Sequence, residues 1–340
     1  MRQATVSIDR EALQSNLNRV KQLAPQAKIV SMVKANAYGH GLHDCLAALN
    51  ATDAFGVACL AEALQIRDVG DQHDVTLIEG VFALDEMPIA IANRFEVVIH
   101  QQQQLDWLIQ HQDAYQAQGL KVWVKLNSGM NRLGFKHPEI IAIIKDLQSR
   151  GFNCVLTMHF ANADRDYPLN DVQVQQFLEI KTACAPILAS CCNSAAIYKW
   201  PELHFDYVRP GIMLYGASPF ADQSVDQLKL TPVMSFNAAI IATFRAEHDM
   251  QIAIVSIGYG DGYPRAYFKQ NYVSINSQAV ALVGRVSMDM IAIDITGLNV
   301  EIGQPVELWG KQRLVDDVAA ANGTIGYELL CRLSQRPQRY

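Results

Sequence analysis

Short apolar runs punctuate the first two-thirds of the chain, and each is followed by a stretch of helical period. The runs are Ile29–Val33, Ala54–Ala58, Val75–Ile78, Glu96–Ile99, Val122–Leu126, Val155–Met158, Ile187–Cys191 and Asp206–Val208. Between them, Ala61–Val69, Gln101–Gln118, Pro138–Arg150 and Asp171–Ala183 space their apolar residues as amphipathic helices do. Val6-Ser7-Ile8-Asp9 is a short lead-in, and Asp9 stands where an N-cap would serve the helical pattern Leu13, Leu17, Val20. Strands alternating with helices predict a parallel sheet, and eight of them is the number that closes a (β/α)8 TIM barrel. An open doubly wound sheet is the alternative. No Gly-x-Gly-x-x-Gly follows the first strand, which disfavours a dinucleotide fold.

After Tyr215-Gly216 the pattern changes. Pro219, Pro232 and the polar stretch Ala221–Gln227 mark a linker. Beyond it come short alternating runs: Ala238–Thr243, Ala253–Ile257, Val280–Val283, Ile291–Ile295 and Val306–Trp309. They predict a smaller, mainly-β domain. The expected division is therefore a barrel over 1–225 and a β domain over 226–340. A closing helix is expected over Val315–Ala321, with Asp316 and Asp317 at its positive end.

Composition narrows the function. Half of the 340 residues are hydrophobic, ample for a large core. A net charge of −6 without any basic run argues against nucleic acid as partner. No apolar stretch is long enough to span a bilayer, and Met1–Val6 carries no signal-peptide core. The seven cysteines are odd in number and show no paired CxxC spacing, so neither a disulfide framework nor a zinc site is expected. Cytoplasm is the natural location.

The barrel reading demands chemistry just past the carboxyl ends of the strands. Lys34 ends the first run, followed by Ala35-Asn36-Ala37-Tyr38-Gly39-His40-Gly41 and the helical pattern Leu42, Leu46, Leu49. A partly desolvated lysine has a lowered pKa and is free to form a Schiff base. A helix N-terminus beside it holds a phosphate. Pyridoxal phosphate (PLP) satisfies both features; a surface lysine at a strand end is the plain alternative. Lys125 ends the fifth run beside Leu126 and Arg132 follows it; His159 follows the sixth, Asn193-Ser194 the seventh, and Arg209-Pro210-Gly211-Ile212 the eighth. Each alone reads as an ordinary structural residue. Their shared position on one rim is the informative fact.

Val33-Lys34-Ala35-Asn36-Ala37-Tyr38-Gly39-His40-Gly41 resembles the PLP-lysine signature of the alanine racemases, and the similarity runs over nearly the whole chain. The resemblance implies a barrel followed by a β domain, and a head-to-tail homodimer whose active sites join one barrel to the other subunit's β domain. It implies that Lys34 carries PLP and serves the face bearing the α-hydrogen of D-alanine. Tyr38, Ser194, Gly211, Ile212 and Tyr327 match the phosphate cradle. Arg132 matches the arginine on the PLP phenolic oxygen and the substrate carboxylate, and Lys125 the lysine, often carbamylated, that orients it. Arg209 matches the arginine facing the pyridine nitrogen; with His159 it would form the chain that eases ionisation of a catalytic tyrosine on the L face. Met288, in Val283-Gly284-Arg285-Val286-Ser287-Met288-Asp289, matches the residue whose backbone meets the substrate carboxylate. Tyr259 and Tyr263 match a motif at the mouth of the site. The implied activity is racemisation of L- and D-alanine, supplying D-alanine for peptidoglycan or catabolising it.

One departure stands out. The family's L-face tyrosine precedes Ile257-Gly258-Tyr259-Gly260-Asp261-Gly262-Tyr263, but Ile241–Ile254 contains no tyrosine and is shorter than expected. A deletion, an omitted stretch or a substitute group would each account for this. Tyr259 is the candidate substitute base, and His248 is a second. Beside an active racemase, two readings stay open. One is a PLP-binding relative with one-sided proton exchange. The other is a different PLP enzyme on the same fold, such as a basic amino-acid decarboxylase.

Overall fold

The computed structural model describes residues 4–265 and 271–340; Met1–Gln3, read above for a leader, lie outside them. The barrel strands are β2 (Lys28–Met32), β3 (Ala54–Val57), β4 (Asp74–Leu77), β5 (Phe95–Ile99), β6 (Lys121–Lys125), β7 (Asn153–Thr157), β8 (Leu188–Ser190) and β9 (Tyr207–Val208). They follow β1 (Thr5–Ile8), which lies elsewhere. All eight barrel strands pair in parallel, in chain order from β2 to β8, with β9 against β2. The seam between β8 and β9 is closed by Asp206, whose N–H donates to the Ala189 carbonyl at 3.2 Å and whose carboxylate accepts the Ala189 N–H at 2.8 Å. Each observed strand lies within two residues of a predicted apolar run.

The interior is packed, not hollow, at its lower end: Val30, Ala54, Val98, Trp123, Val155 and Tyr207 fill it. Glu96 is buried there, accepting from the Trp123 indole N–H at 2.7 Å and pairing with Lys121. Around the barrel, helices bury their apolar stripes. Asp9 caps the first, Arg10–Leu23, by accepting from the Ala12 N–H at 2.9 Å, an interaction worth about 1 kcal/mol. The predicted helix over Gln101–Gln118 is two helices, Gln102–Gln110 and Gln112–Ala117. His111 breaks it: its Nδ1 donates to the Trp107 carbonyl at 2.9 Å, the oxygen a continuing helix would use.

The second sheet comprises β10 (Met234–Arg245), β11 (Gln251–Val255), β12 (Tyr272–Ile275), β13 (Gln278–Val283), β14 (Ile291–Asp294), β15 (Pro305–Trp309) and β16 (Gln338–Arg339). β10 to β15 close into an antiparallel barrel in the order β11-β14-β13-β12-β15-β10, with β10 returning to β11. The N-terminal β1 lies in this sheet, antiparallel to β10 and parallel to β16. The helix Val315–Ala321 forms as expected, but Asp316 does not cap it. Its carboxylate accepts the Ser218 N–H at 2.9 Å, tying the helix to the barrel, and burial pushes its pKa up to about 6. No helix among the described residues is long and apolar enough to cross a membrane, and no group of side chains among them could hold a metal ion.

Candidate active site

Lys34 leaves the carboxyl end of β2 half-buried, facing the barrel mouth. The chain after it makes the expected turn before the helix at Leu42, but the turn has an unusual form. Ala35, Asn36, Ala37 and Tyr38 all take positive φ, between 51° and 54°, making a left-handed turn that ends at Gly39. Each non-glycine residue in that region costs roughly 1–2 kcal/mol, because Cβ crowds the following carbonyl. The right-handed helix resumes at Leu42–Ala48, and the Asn36 side chain already accepts its Leu42 N–H at 2.7 Å.

The left-handed turn aims Tyr38 inward, where its ring stacks on Tyr215 with centroids 4.8 Å apart. Burial pushes the Tyr38 hydroxyl above its ordinary pKa, so it stays protonated. Opposite lies the end of β8. Asn193 caps the helix Ser194–Lys199, and the Ser194 hydroxyl accepts the Gly211 N–H at 2.9 Å. A Cβ at Gly211 would lie 2.5 Å from the Tyr38 hydroxyl oxygen, so this approach requires glycine. The Tyr327 ring stands 6.2 Å from that of Tyr38. Tyr38, Ser194, Gly211, Ile212 and Tyr327 all line one cavity with Lys34.

The same cavity, of about 370 Å³, receives Lys125, Arg132, His159 and Arg209. Arg132 is carried on a loop that returns to its own strand. The Phe135 N–H donates to the Lys125 carbonyl and the Asn127 N–H to the Phe135 carbonyl, both at 2.9 Å. A Cβ at Gly134 would lie 2.5 Å from the Asn127 nitrogen, so the return is also made by glycine. Arg209 spends donors on the Met158 carbonyl, at 2.5 Å, and on the Ser190 hydroxyl. What reaches His159 from Arg209 is its charge. Burial, then Arg209, Arg132, Lys125 and Lys34, hold His159 well below its ordinary pKa, so it is neutral at pH 7. Burial and the charges of Arg132 and Arg209 bring Lys125 down to about 8. A cavity crowded with cations and capped by hydroxyls is complementary to an anion.

Sequence reasoning missed the residues that support this wall. Gln173, fully buried, donates to the Ser128 hydroxyl at 2.7 Å and to the His159 carbonyl at 3.1 Å. Trp123 lies under the cavity. Nothing in the local pattern marks either, since a glutamine on a helix and a tryptophan on a strand are ordinary there.

Tyr259 and Met288 are not brought to Lys34 within one chain. They belong to two loops of the second domain joined by backbone bonds, Tyr259 N–H to Ser287 carbonyl at 3.1 Å and Gly260 N–H to Met288 carbonyl at 2.9 Å. Both side chains are exposed, at 39% and 53%. Tyr263 is instead fully buried, its ring stacked on Trp309. The β10–β11 connection is a closed hairpin, with the Ala246 N–H on the Met250 carbonyl at 2.8 Å, and exposed His248 at its turn.

With this geometry in hand, comparison with known proteins identifies relatives of both halves. The family model described as "Alanine racemase, N-terminal domain" matches residues 8–219, and "Alanine racemase, C-terminal domain" matches 237–340. An alanine racemase of Legionella pneumophila (strain Lens) is 45% identical, over 97% of both chains. One from Psychrobacter sp. (strain PRwf-1) is 43% identical, over 100% of this chain and 99% of its own. The solved structure of alanine racemase from Acinetobacter baumannii is 73% identical, with a TM-score of 0.98 over 100% of both chains. A biosynthetic alanine racemase structure from Pseudomonas aeruginosa is 39% identical, with a TM-score of 0.92 over 100% of this chain and 99% of that one.

Proposed function

The chain belongs to the alanine racemase family, and from that premise we propose that it interconverts L- and D-alanine with pyridoxal phosphate as cofactor. The observation that carries this reading is the single cavity in which Lys34 meets Arg132, Arg209 and the hydroxyls of Tyr38, Ser194 and Tyr327. The residues fit the group. Its phosphate would be taken by Tyr38, Ser194, Tyr327 and the backbone at Gly211 and Ile212, where glycine leaves room that a Cβ would fill. Its aldehyde would be held by the Lys34 amine. When bound, PLP supplies an electron sink that acidifies the α-hydrogen of an amino acid.

The chain's own residues do the rest. Arg132 orients the substrate carboxylate, a fork-shaped donor matched to two oxygens. Arg209 keeps its proton at working pH and so donates without acting as an acid. Lys34 moves the α-proton on one face. Racemisation needs a second acid–base group on the other face. Tyr259 is our candidate for it, with neutral His159 and the Arg209 charge as its surroundings. Because Tyr259 and Met288 face away from their own cavity, we assign both to a homodimer in which Tyr259 of the partner subunit and Met288 of the partner subunit complete each site. The biological output would be D-alanine for peptidoglycan, in the cytoplasm.

The test is α-hydrogen exchange in heavy water, followed by NMR, with D- and L-alanine offered separately and configuration followed by polarimetry. Exchange with inversion of both enantiomers is expected. Inert alanine in the presence of PLP, or a protein that takes up no PLP, would overturn the reading.

A further inference from the structure

The turn that carries Lys34 and Tyr38 is held in an unfavourable conformation, and its restraints come from three parts of the molecule. The Ala35 N–H donates to one Glu62 oxygen at 2.7 Å, while the other Glu62 oxygen takes the Ala58 N–H at 2.8 Å. His40 lies across the turn, with Nδ1 2.9 Å from the Tyr38 carbonyl. Burial and the nearby Arg339 charge hold His40 down to about 4. The ring is therefore neutral, and with a carbonyl oxygen as partner, Nδ1 must carry the proton. The third restraint is remote. Arg339, on β16 of the second sheet, donates through Nη1 to the Gly39 carbonyl at 2.8 Å. On the same side a Cβ at Gly39 would lie 2.0 Å from the Leu330 carbonyl, so the turn sits directly against the helix Gly326–Cys331. β16 is itself fixed to β1, by the Gln338 N–H on the Ala4 carbonyl at 2.9 Å and the Tyr340 N–H on the Val6 carbonyl at 3.0 Å.

We propose that Arg339 is a positioning residue for Lys34 and Tyr38, a brace through which the second sheet holds the cofactor-bearing turn in its left-handed form. What the turn holds rests on the PLP reading above, but the brace itself is a property of this chain. Left-handed residues relax when unrestrained, because each is disfavoured sterically. Removing the one remote, charge-assisted donor should release the turn without touching the core of either domain. Arg339 lines no part of the cavity, so any effect on the cofactor must pass through the turn.

The experiment compares Arg339→Ala and Arg339→Lys with the unaltered holoenzyme. Cofactor loss is followed by visible absorbance during dialysis. Amide exchange across residues 33–41 is followed in loaded and unloaded protein. Arg339→Ala is expected to lose cofactor about tenfold faster, the effect of one hydrogen bond to a charged group. Exchange at Ala37 and Gly39 should rise about as much, with β10 and β15 unchanged. Arg339→Lys, which keeps a charged donor, should recover most of both effects. Unchanged cofactor loss and exchange would overturn the proposal. So would a rise in exchange spread over both domains, or a lysine variant no better than alanine. A Lys34→Ala control that keeps its visible absorbance would sink the PLP reading instead, while the exchange data would still decide the brace.

Discussion

At the barrel mouth, side chains from the ends of β2, β6, β7, β8 and β9 point into one cavity. On the second domain, Tyr259 and Met288 point outward from two loops zipped together by backbone bonds. Both regions rely on glycines that admit a backbone or hydroxyl where a Cβ would collide: Gly211 in the first, Gly258 in the second, where a Cβ would lie 2.3 Å from the Ser287 carbonyl. They differ in what they enclose. The first region buries its charges and alters their chemistry. The second offers shaped apolar groups to whatever lies outside. Under the proposed homodimer, the contrast teaches that a chain can hold a whole cofactor cavity and yet only half of a substrate site.

The comparison breaks most completely at Lys34. Lys34→Ala should reduce racemisation by at least ~10³-fold and abolish the visible absorbance of the loaded protein. A variant that keeps both would remove the lysine from the chemistry.

Next in size is Met288→Asp. A carboxylate brought against the substrate carboxylate should lower kcat/KM roughly 10²-fold, since like charges in contact cost several kcal/mol. Mixing this variant with Lys34→Ala then tests whether two chains share a site. Recovered activity in the mixture is expected, because a mixed dimer contains one intact pair of halves. No recovery after verified subunit exchange would place Met288 elsewhere.

Arg132→Ala should weaken alanine binding by about 10- to 100-fold, the range for a lost hydrogen bond to a charged group, and leave the cofactor absorbance in place. Unchanged KM for alanine would contradict its assigned role.

The smallest effect is a titration. In unloaded protein, Lys125 should titrate near 8, not at the ordinary lysine value of 10.5, as followed by NMR of methyl-labelled lysines. The sign follows from proton linkage. The folded chain binds this proton less tightly than the unfolded one, so this group makes stability rise with pH between about 8 and 10.5. A midpoint of 10.5 would mean that Arg132 and Arg209 do not crowd it.

Much of the barrel was legible because its signal is local: each buried strand is a short apolar run, and each helix a periodic one. The rim residues followed from their positions at strand ends. What escaped depends on contacts distant in sequence or on unusual dihedral angles. Ala35-Asn36-Ala37-Tyr38 has no glycine or proline to announce a left-handed turn, and its bonds to Glu62, His40 and Arg339 come from outside the local pattern. β12 and the helix Gly326–Cys331 are too short for a periodic pattern to rise above background. Tyr263 reads like Tyr259 in its motif, yet one is buried against Trp309 and the other exposed. Only packing separates them.

The pairing of β1 with β10 has a consequence for how the molecule is made. Val6 faces Phe236, so the entire first barrel lies between two neighbouring strands of one sheet. During synthesis β1 emerges early and waits for its partner, with its hydrogen-bonding edges uncovered, until the barrel's residues have followed. Closing so large a loop is slow unless the intervening chain folds first and draws its own ends together. The first barrel therefore acts as the splint that brings β1 to β10. A substitution that delays barrel folding would first show itself as aggregation through the unpaired β1 edge.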